Sequence, residues 1–187
     1  IDIDSYYPDT LFGSGESGDW WAASLADTRW QNTKGGTPAA ANNDPFGTWA
    51  GRVNDLDWVR ASTLIPFYKV SGGLHSMAFD GVDDLTTASQ ALDSNTWTLA
   101  FSYTPDGSDF MTAYWNTSRY ILPGQSGSSS TTLFGSTTGV DAVWFNNSLF
   151  TGTTRGNLYT AAQAARTIII EWRPTTSWTY VRIGYHN

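Results

Sequence analysis

The groups in this sequence that could do chemistry are carboxylates, flat aromatic rings and side-chain amides. Three carboxylates, Asp80, Asp83 and Asp84, lie close together in Met77-Ala78-Phe79-Asp80-Gly81-Val82-Asp83-Asp84-Leu85. Calcium takes about six to eight oxygens, several of them carboxylate, so these three are candidate Ca²⁺ ligands that supply only part of a shell. Asp80 has a competing local role, because an aspartate before glycine caps its own turn by accepting backbone N–H bonds. That cap is the role expected for it. Cleavage of a polysaccharide would need two carboxyl groups opposed at ~5–9.5 Å. The only glutamates are Glu16 and Glu171, and no second carboxylate stands two or four residues from Glu171. Glu171 is therefore expected as a surface residue between Ile170 and Trp172, and no enzymatic activity is expected. His75 and His186 are too far apart for a local zinc motif, cysteine is absent, and no G-x-S-x-G elbow occurs. Gly13-Ser14-Gly15-Glu16-Ser17-Gly18 spells G-x-G-x-x-G, but only Leu11-Phe12 precedes it and Asp19-Trp20-Trp21 follows. Without a strand before and a helix after, it reads as a turn. Tyr114, Trp115, Asn116, Tyr120, Trp144, Asn146 and Asn147 combine flat rings with amides near turns. They are candidates for glycan contact, with packing or interface duty as the alternative for each.

These groups must be positioned by strands. Trp97-Thr98-Leu99-Ala100-Phe101-Ser102-Tyr103 carries a large residue at every second position, the period of a strand with one buried face. Similar runs predict strands at 67–70, 74–79, 97–103, 110–115, 120–122, 140–145, 167–173 and 179–185. Gly72-Gly73, Asp80-Gly81, Pro105-Asp106-Gly107, Asn116-Thr117-Ser118 and Asn146-Asn147 punctuate them. The alternation puts Met77, Phe79, Trp97, Leu99, Phe101, Ile168 and Ile170 in the core. One short helix is expected over 160–166. Residues 22–66 show few strand signals and many Gly and Pro, yet Trp20, Trp21, Trp30, Trp49 and Trp58 fall in or beside them. Those indoles either pack the excursion down or form a sugar-stacking platform, and packing is the expectation, since large aromatics are mostly buried. Gly124–Gly139 is rich in Ser, Thr and Gly and reads as a flexible loop, with an edge strand possible at Leu133-Phe134.

A chain of 187 residues with 40% apolar residues can bury a proper core as one β domain. Its 18 glycines and lack of helix-forming runs favour strands over helices. The net charge of −7, with ten Lys and Arg scattered singly, argues against a nucleic-acid partner. No apolar run reaches the ~18 residues of a membrane span, and no signal peptide is evident. Cysteine is absent, so no disulfide framework forms. Ile1-Asp2-Ile3-Asp4 reads like the middle of a longer polypeptide, and residues 1–10 like a linker or arm.

The strand, the F-D-G-x-D-D turn at Phe79–Asp84 and the Trp97–Tyr103 strand running into Thr104-Pro105-Asp106-Gly107 together resemble a known family. It is the concanavalin A-like, laminin-G-like jelly rolls, in the version carried by tail and other virion proteins of bacteriophages and prophages. Leu11-Phe12-Gly13-Ser14-Gly15-Glu16-Ser17-Gly18-Asp19-Trp20-Trp21 and Thr28-Arg29-Trp30-Gln31-Asn32-Thr33-Lys34-Gly35-Gly36-Thr37-Pro38 carry the resemblance upstream. The match covers about residues 11 to 107, and beyond them only the strand rhythm continues. The resemblance implies an all-β antiparallel sandwich over residues 11–187 and a place in the virion among other virion subunits, in several copies. It further implies a lectin-like role in attachment to host-surface polysaccharide, or else a purely structural decoration or assembly role. No organic cofactor is implied, and calcium is the one ion such relatives sometimes bind. Family members usually continue past the strand ending at Tyr185, so a cut or partner-completed C-terminal edge is expected.

Overall fold

The structure, a computed structural model, describes residues 18–60, 65–80, 85–88, 97–104, 114–116, 119–120, 126–131, 133, 140–172 and 182–184. At residues 85, 97, 114–116, 119–120, 172 and 182–184 it describes the backbone alone. The chain divides into two compact units, Ile1–Gln90 and Ala91–Asn187.

In the first unit a 3-10 turn, Ala26–Thr28, leads into β1 (Arg29–Trp30). β2 (Thr48–Trp49) and β3 (Trp58–Arg60) follow, then the ribbon of β4 (Phe67–Ser71) and β5 (Leu74–Ala78), then β6 (Leu85–Ala88). β1, β2, β3 and β6 are neighbours in that order, all antiparallel. The stretch read as irregular thus holds three strands. They are too short, at two or three residues, for an alternating pattern to show. Gly72 and Gly73 make the two-residue turn between β4 and β5 at φ 57° and 80°, the left-handed region that a Cβ disfavours.

Short strands give few ladder bonds, so side chains hold this unit together. Ala23, Ala39, Phe46 and Tyr68 are buried as one cluster, with Trp49 and Met77 against it. The Phe46 ring meets Tyr68 edge-on at 6.1 Å and Trp49 at 5.7 Å. Trp58 is buried, and Trp21 packs edge-on against it at 5.7 Å while donating its indole N–H to Leu56 O at 2.8 Å. Trp21, Trp49 and Trp58 therefore have packing partners within this unit.

The second unit contains β7 (Trp97–Ser102), β8 (Tyr114–Asn116), β9 (Arg119–Tyr120), β10 (Val140–Phe145) and β11 (Ser148–Leu149). α1 (Arg155–Ala164), β12 (Thr167–Trp172) and β13 (Arg182–Gly184) complete it. β11, β10, β12 and β7 form one antiparallel sheet in that order, while β8 pairs with both β13 and β9. Alternation sorts the faces of the four-stranded sheet. Ile168 and Ile170 are fully buried, opposite Phe145 and Val143 on β10. On the other side they face Phe101 and Leu99, both half-buried. Met77 and Phe79 of the first unit are also half-buried, and the side chain of Trp97 lies outside the described residues.

The helix differs from its expected 160–166. It begins five residues earlier because Thr154 caps it: its hydroxyl accepts from Asn157 N, and Asn157 Oδ1 accepts in return from Thr154 N. Gly156 in the first turn hides this start from a propensity reading. The glycine has a steric reason, since a Cβ there would lie 2.8 Å from Ser128 O. Gly156 N donates to that same oxygen at 3.0 Å, and Arg155 N to Ser130 O at 2.9 Å. The Ser-rich stretch expected as a flexible loop is, at 128–130, tied to the start of α1. Leu133 is not in a strand. The described chain is mostly β-strand in antiparallel sheets, with one short helix.

Candidate functional site

Sending Ile168 and Ile170 inward turns Ile169 and Glu171 to the opposite face of the four-stranded sheet. The register sets Trp144 of β10 directly across from Ile169, and Thr98 of β7 across from Glu171. The β10–β12 pairing shifts register between Val140 and Ala142 and is regular from Ala142 to Phe145. Asn146 and Asn147 then reverse the chain at φ 49° and 65°, a left-handed pair that Asn tolerates better than most residues. This turn brings the Asn147 side chain beside Trp144. Thr98, Trp144, Asn147, Ile169 and Glu171 together line an open cavity of about 260 Å³. Leu149, opposite Trp144 on β11 and 56% exposed, extends the apolar row at its edge.

Half of the Trp144–Ile169 floor is aromatic and flat, and the rim carries a hydroxyl, an amide and a carboxylate. That pairing suits a ligand with apolar C–H faces and peripheral hydroxyls. The Glu171 side chain is half-buried and has no hydrogen-bond or ion-pair partner among the described residues.

Of the glycan-contact candidates, Trp144 and Asn147 share this groove. Asn146 does structural work instead: its Oδ1 accepts from Arg166 N at 2.8 Å and Thr167 N at 3.2 Å, pinning the turn to the start of β12. Tyr114, Trp115, Asn116 and Tyr120 lie on β8 and β9, and their side chains fall outside the described residues. Glu171 was expected as an ordinary surface residue, while Thr98 and Ile169 carried no mark at all in the sequence. The signal that could have found them is strand register, because each becomes interesting only beside Trp144. Asp80 is exposed at the end of the β5 segment, and Asp83 and Asp84 lie outside the described residues. Among the described residues no group of three or more His, Asp or Glu could hold a metal ion. No helix among them is long and apolar enough to cross a membrane.

Two polar clusters in the first unit compete for attention. Asp19 is buried and accepts backbone N–H bonds from Trp20, Arg52 and Val53 through one oxygen, and from Asn54 and Leu56 through the other, at 2.7–3.0 Å. The carboxylate fills its own nest and has no capacity left for a ligand. The second cluster centres on Arg29, which is buried and lies over the Tyr68 ring at 4.4 Å. Its Nη1 donates to Ala23 O at 2.9 Å and to the Tyr68 hydroxyl, and sits 3.2 Å from His75 Nδ1. Nη1 carries two protons and those two oxygens take both, so its approach to Nδ1 is a contact and not a third bond. The Tyr68 hydroxyl in turn donates to Nδ1. With Tyr68 itself buried, this is a cross-strand lock between β1 and the β4–β5 ribbon. No family model, no curated protein and no solved structure matches this chain.

Proposed function

We propose that this chain is a non-catalytic, lectin-like carbohydrate-binding domain of a bacteriophage virion protein, built as a concanavalin A-like jelly-roll sandwich. One observation carries the binding half: Trp144, Asn147, Thr98 and Glu171 converge on one open groove of a well-formed sheet. An indole offers a stacking face to a pyranose, and the amide, hydroxyl and carboxylate reach its hydroxyl groups. The virion half rests on the sequence motifs at residues 11–38 and 77–107. The groove's described lining holds a single carboxylate, whereas glycoside cleavage employs an opposed pair. Binding is therefore favoured over hydrolysis. A shallow groove of this kind gives weak single-site affinity, which several copies in a particle would raise by ~10²–10⁴ through avidity.

The test is a glycan array with the multimerised protein, with and without calcium, beside a polysaccharide-release assay. Binding is expected to fall at least tenfold in Trp144→Ala, with release absent and calcium without effect. Array silence, or binding unchanged in Trp144→Ala, would overturn the reading. A second reading, an assembly module without ligand, is favoured by one specific feature. Leu74 and Val70, beside the turn of the β4–β5 ribbon, are 78% and 37% exposed, apolar groups suited to a neighbouring virion subunit or another copy. A silent array, together with an oligomer that Leu74→Asp converts to monomer, would establish it.

A further inference from the structure

Resting on the reading of this groove as a glycan site, we infer that Glu171 sets its specificity: the ligand is a neutral or, better, an amine-bearing glycan, and acidic polysaccharides are excluded. Of the groove's five lining residues, Glu171 alone is ionisable, and neither Lys nor Arg is among them. An ionised carboxylate is acceptor-only, and among the described residues nothing donates to Glu171. Its half-buried position beside Ile169 and Trp144 lowers the local dielectric, which strengthens any hydrogen bond that a ligand donates to it. The ligand that gains most is one that brings donors. A pair of sugar hydroxyls meets the need, and a protonated amine meets it with charge as well, since charge-assisted hydrogen bonds are about twice as strong as neutral ones.

A uronic or sialic acid brings the opposite. Its carboxylate would stand within a few ångströms of Glu171 with no cation in the described lining to separate them, a juxtaposition that costs affinity. The formal net charge of −7 adds a long-range repulsion that salt screens over ~10 Å. Trp144 supplies affinity without regard to charge, because any pyranose has an apolar face. The two residues thus divide the work. Removing Trp144 should weaken every ligand, while neutralising Glu171 should change which ligand is preferred.

The experiment uses the whole chain and matched ligands: dextran, cello-oligosaccharides and galactomannan, each native, partly aminated and carboxymethylated, compared by affinity electrophoresis or calorimetry. Wild type should bind the aminated form about tenfold more tightly than the native form, as a charge-assisted bond implies, and the carboxymethylated form more weakly than either. In Glu171→Gln, which keeps the shape, the aminated-over-native preference should collapse toward unity while native binding stays within about threefold. Asp141→Asn removes an exposed charge from the same strand pair outside the groove lining, and should leave the preference intact. Equal binding of native and carboxymethylated ligands, an unchanged preference in Glu171→Gln, or its equal loss in Asp141→Asn would overturn the inference while leaving the glycan site standing. Failure of all nine ligands to bind would sink both together.

Discussion

The two units build β structure by different means. In the second, β7, β10 and β12 are six residues each, pair along their length, and bury Ile168 and Ile170 between Val143 and Phe145 on one side and Leu99 and Phe101 on the other. Apolar alternation and the hydrogen-bond ladder suffice. In the first, β1, β2 and β3 have two or three residues each, and polar side chains take over the bonding that the ladder omits. Asp19 gathers five backbone donors, and Asp44 accepts from Ala40 N and Ala41 N at 2.9 and 2.8 Å. The Thr28 hydroxyl shares its one proton between Ala22 O and Leu25 O, and Arg29 locks onto Tyr68. The difference teaches where each unit is vulnerable: one to lost volume, the other to lost acceptors.

The largest effect should come from the sheet. Ile170→Ala opens a cavity in a fully buried position and should cost ~2–5 kcal/mol, read as a lower denaturation midpoint. Hydrogen exchange should rise across β7, β10 and β12 first. A cost below that of an ordinary surface substitution would mean the sheet is not held by its apolar face.

Next is Asp19→Ala, at about 3 kcal/mol. Hydrogen bonds to a charged acceptor contribute ~1.5–3 kcal/mol each, but the exposed 52–55 segment can rehydrate its amides once the carboxylate is gone. Amides of Arg52, Val53, Asn54 and Leu56 should lose protection while those of 168–170 keep theirs. Gly51→Ala should imitate it, because a Cβ at Gly51 would lie 2.1 Å from Asp19 Oδ2. If protection falls equally in both units, the contrast between them is wrong.

A smaller effect, ~1 kcal/mol, is expected for Thr154→Ala, which removes the hydroxyl that caps α1. Thr154→Ser should recover most of it. Loss of helix amide protection confined to the first turn is the readout.

The same contrast explains what could be read from the sequence. Val140–Phe145 and the Thr167–Trp172 strand are legible because each is a six-residue run rich in β-branched and aromatic residues, long enough to stand out as a strand with Ile168 and Ile170 in the core. β1, β2, β3 and β11 are not, since two or three residues carry no period. In the sequence Asp19 shows only as the tail of a glycine-rich turn, because four of its five donors lie 33 to 37 residues away and nothing local marks them. Trp144 and Asn147 could be picked by type, an aromatic and an amide beside a turn. Thr98, Ile169 and Glu171 could not, since their membership in the groove depends on cross-strand register. Asn146 shows the limit of choosing by type: adjacent to Asn147 and chemically identical, it spends its amide oxygen on the backbone of Arg166 and Thr167.

The smallest expected effect tests how α1 is joined to the sheet of the second unit. Tyr103, just past β7, donates its hydroxyl to Ala162 O on the helix, and its backbone N–H to Arg166 O at 3.0 Å. Burial pushes its phenol from the usual value near 10 up to about 12, with the Arg166 guanidinium acting in the opposite direction. The folded state therefore holds this proton more tightly than the unfolded chain does. The resulting stabilisation is complete below pH 10 and is lost as pH rises from about 10 to about 12. Above that window the phenolate can no longer donate to Ala162, so the helix loses a tie to the sheet. The signal sits among other titrating tyrosines and lysines, so the quantity to measure is the difference between wild type and Tyr103→Phe. That difference in melting temperature should be constant from pH 7 to pH 10 and should shrink between pH 10 and pH 12. Arg166→Gln, which takes away the opposing charge, should move the closing of the gap to higher pH. A gap that closes below pH 10, or that ignores pH, would mean that Tyr103 is not what fastens α1.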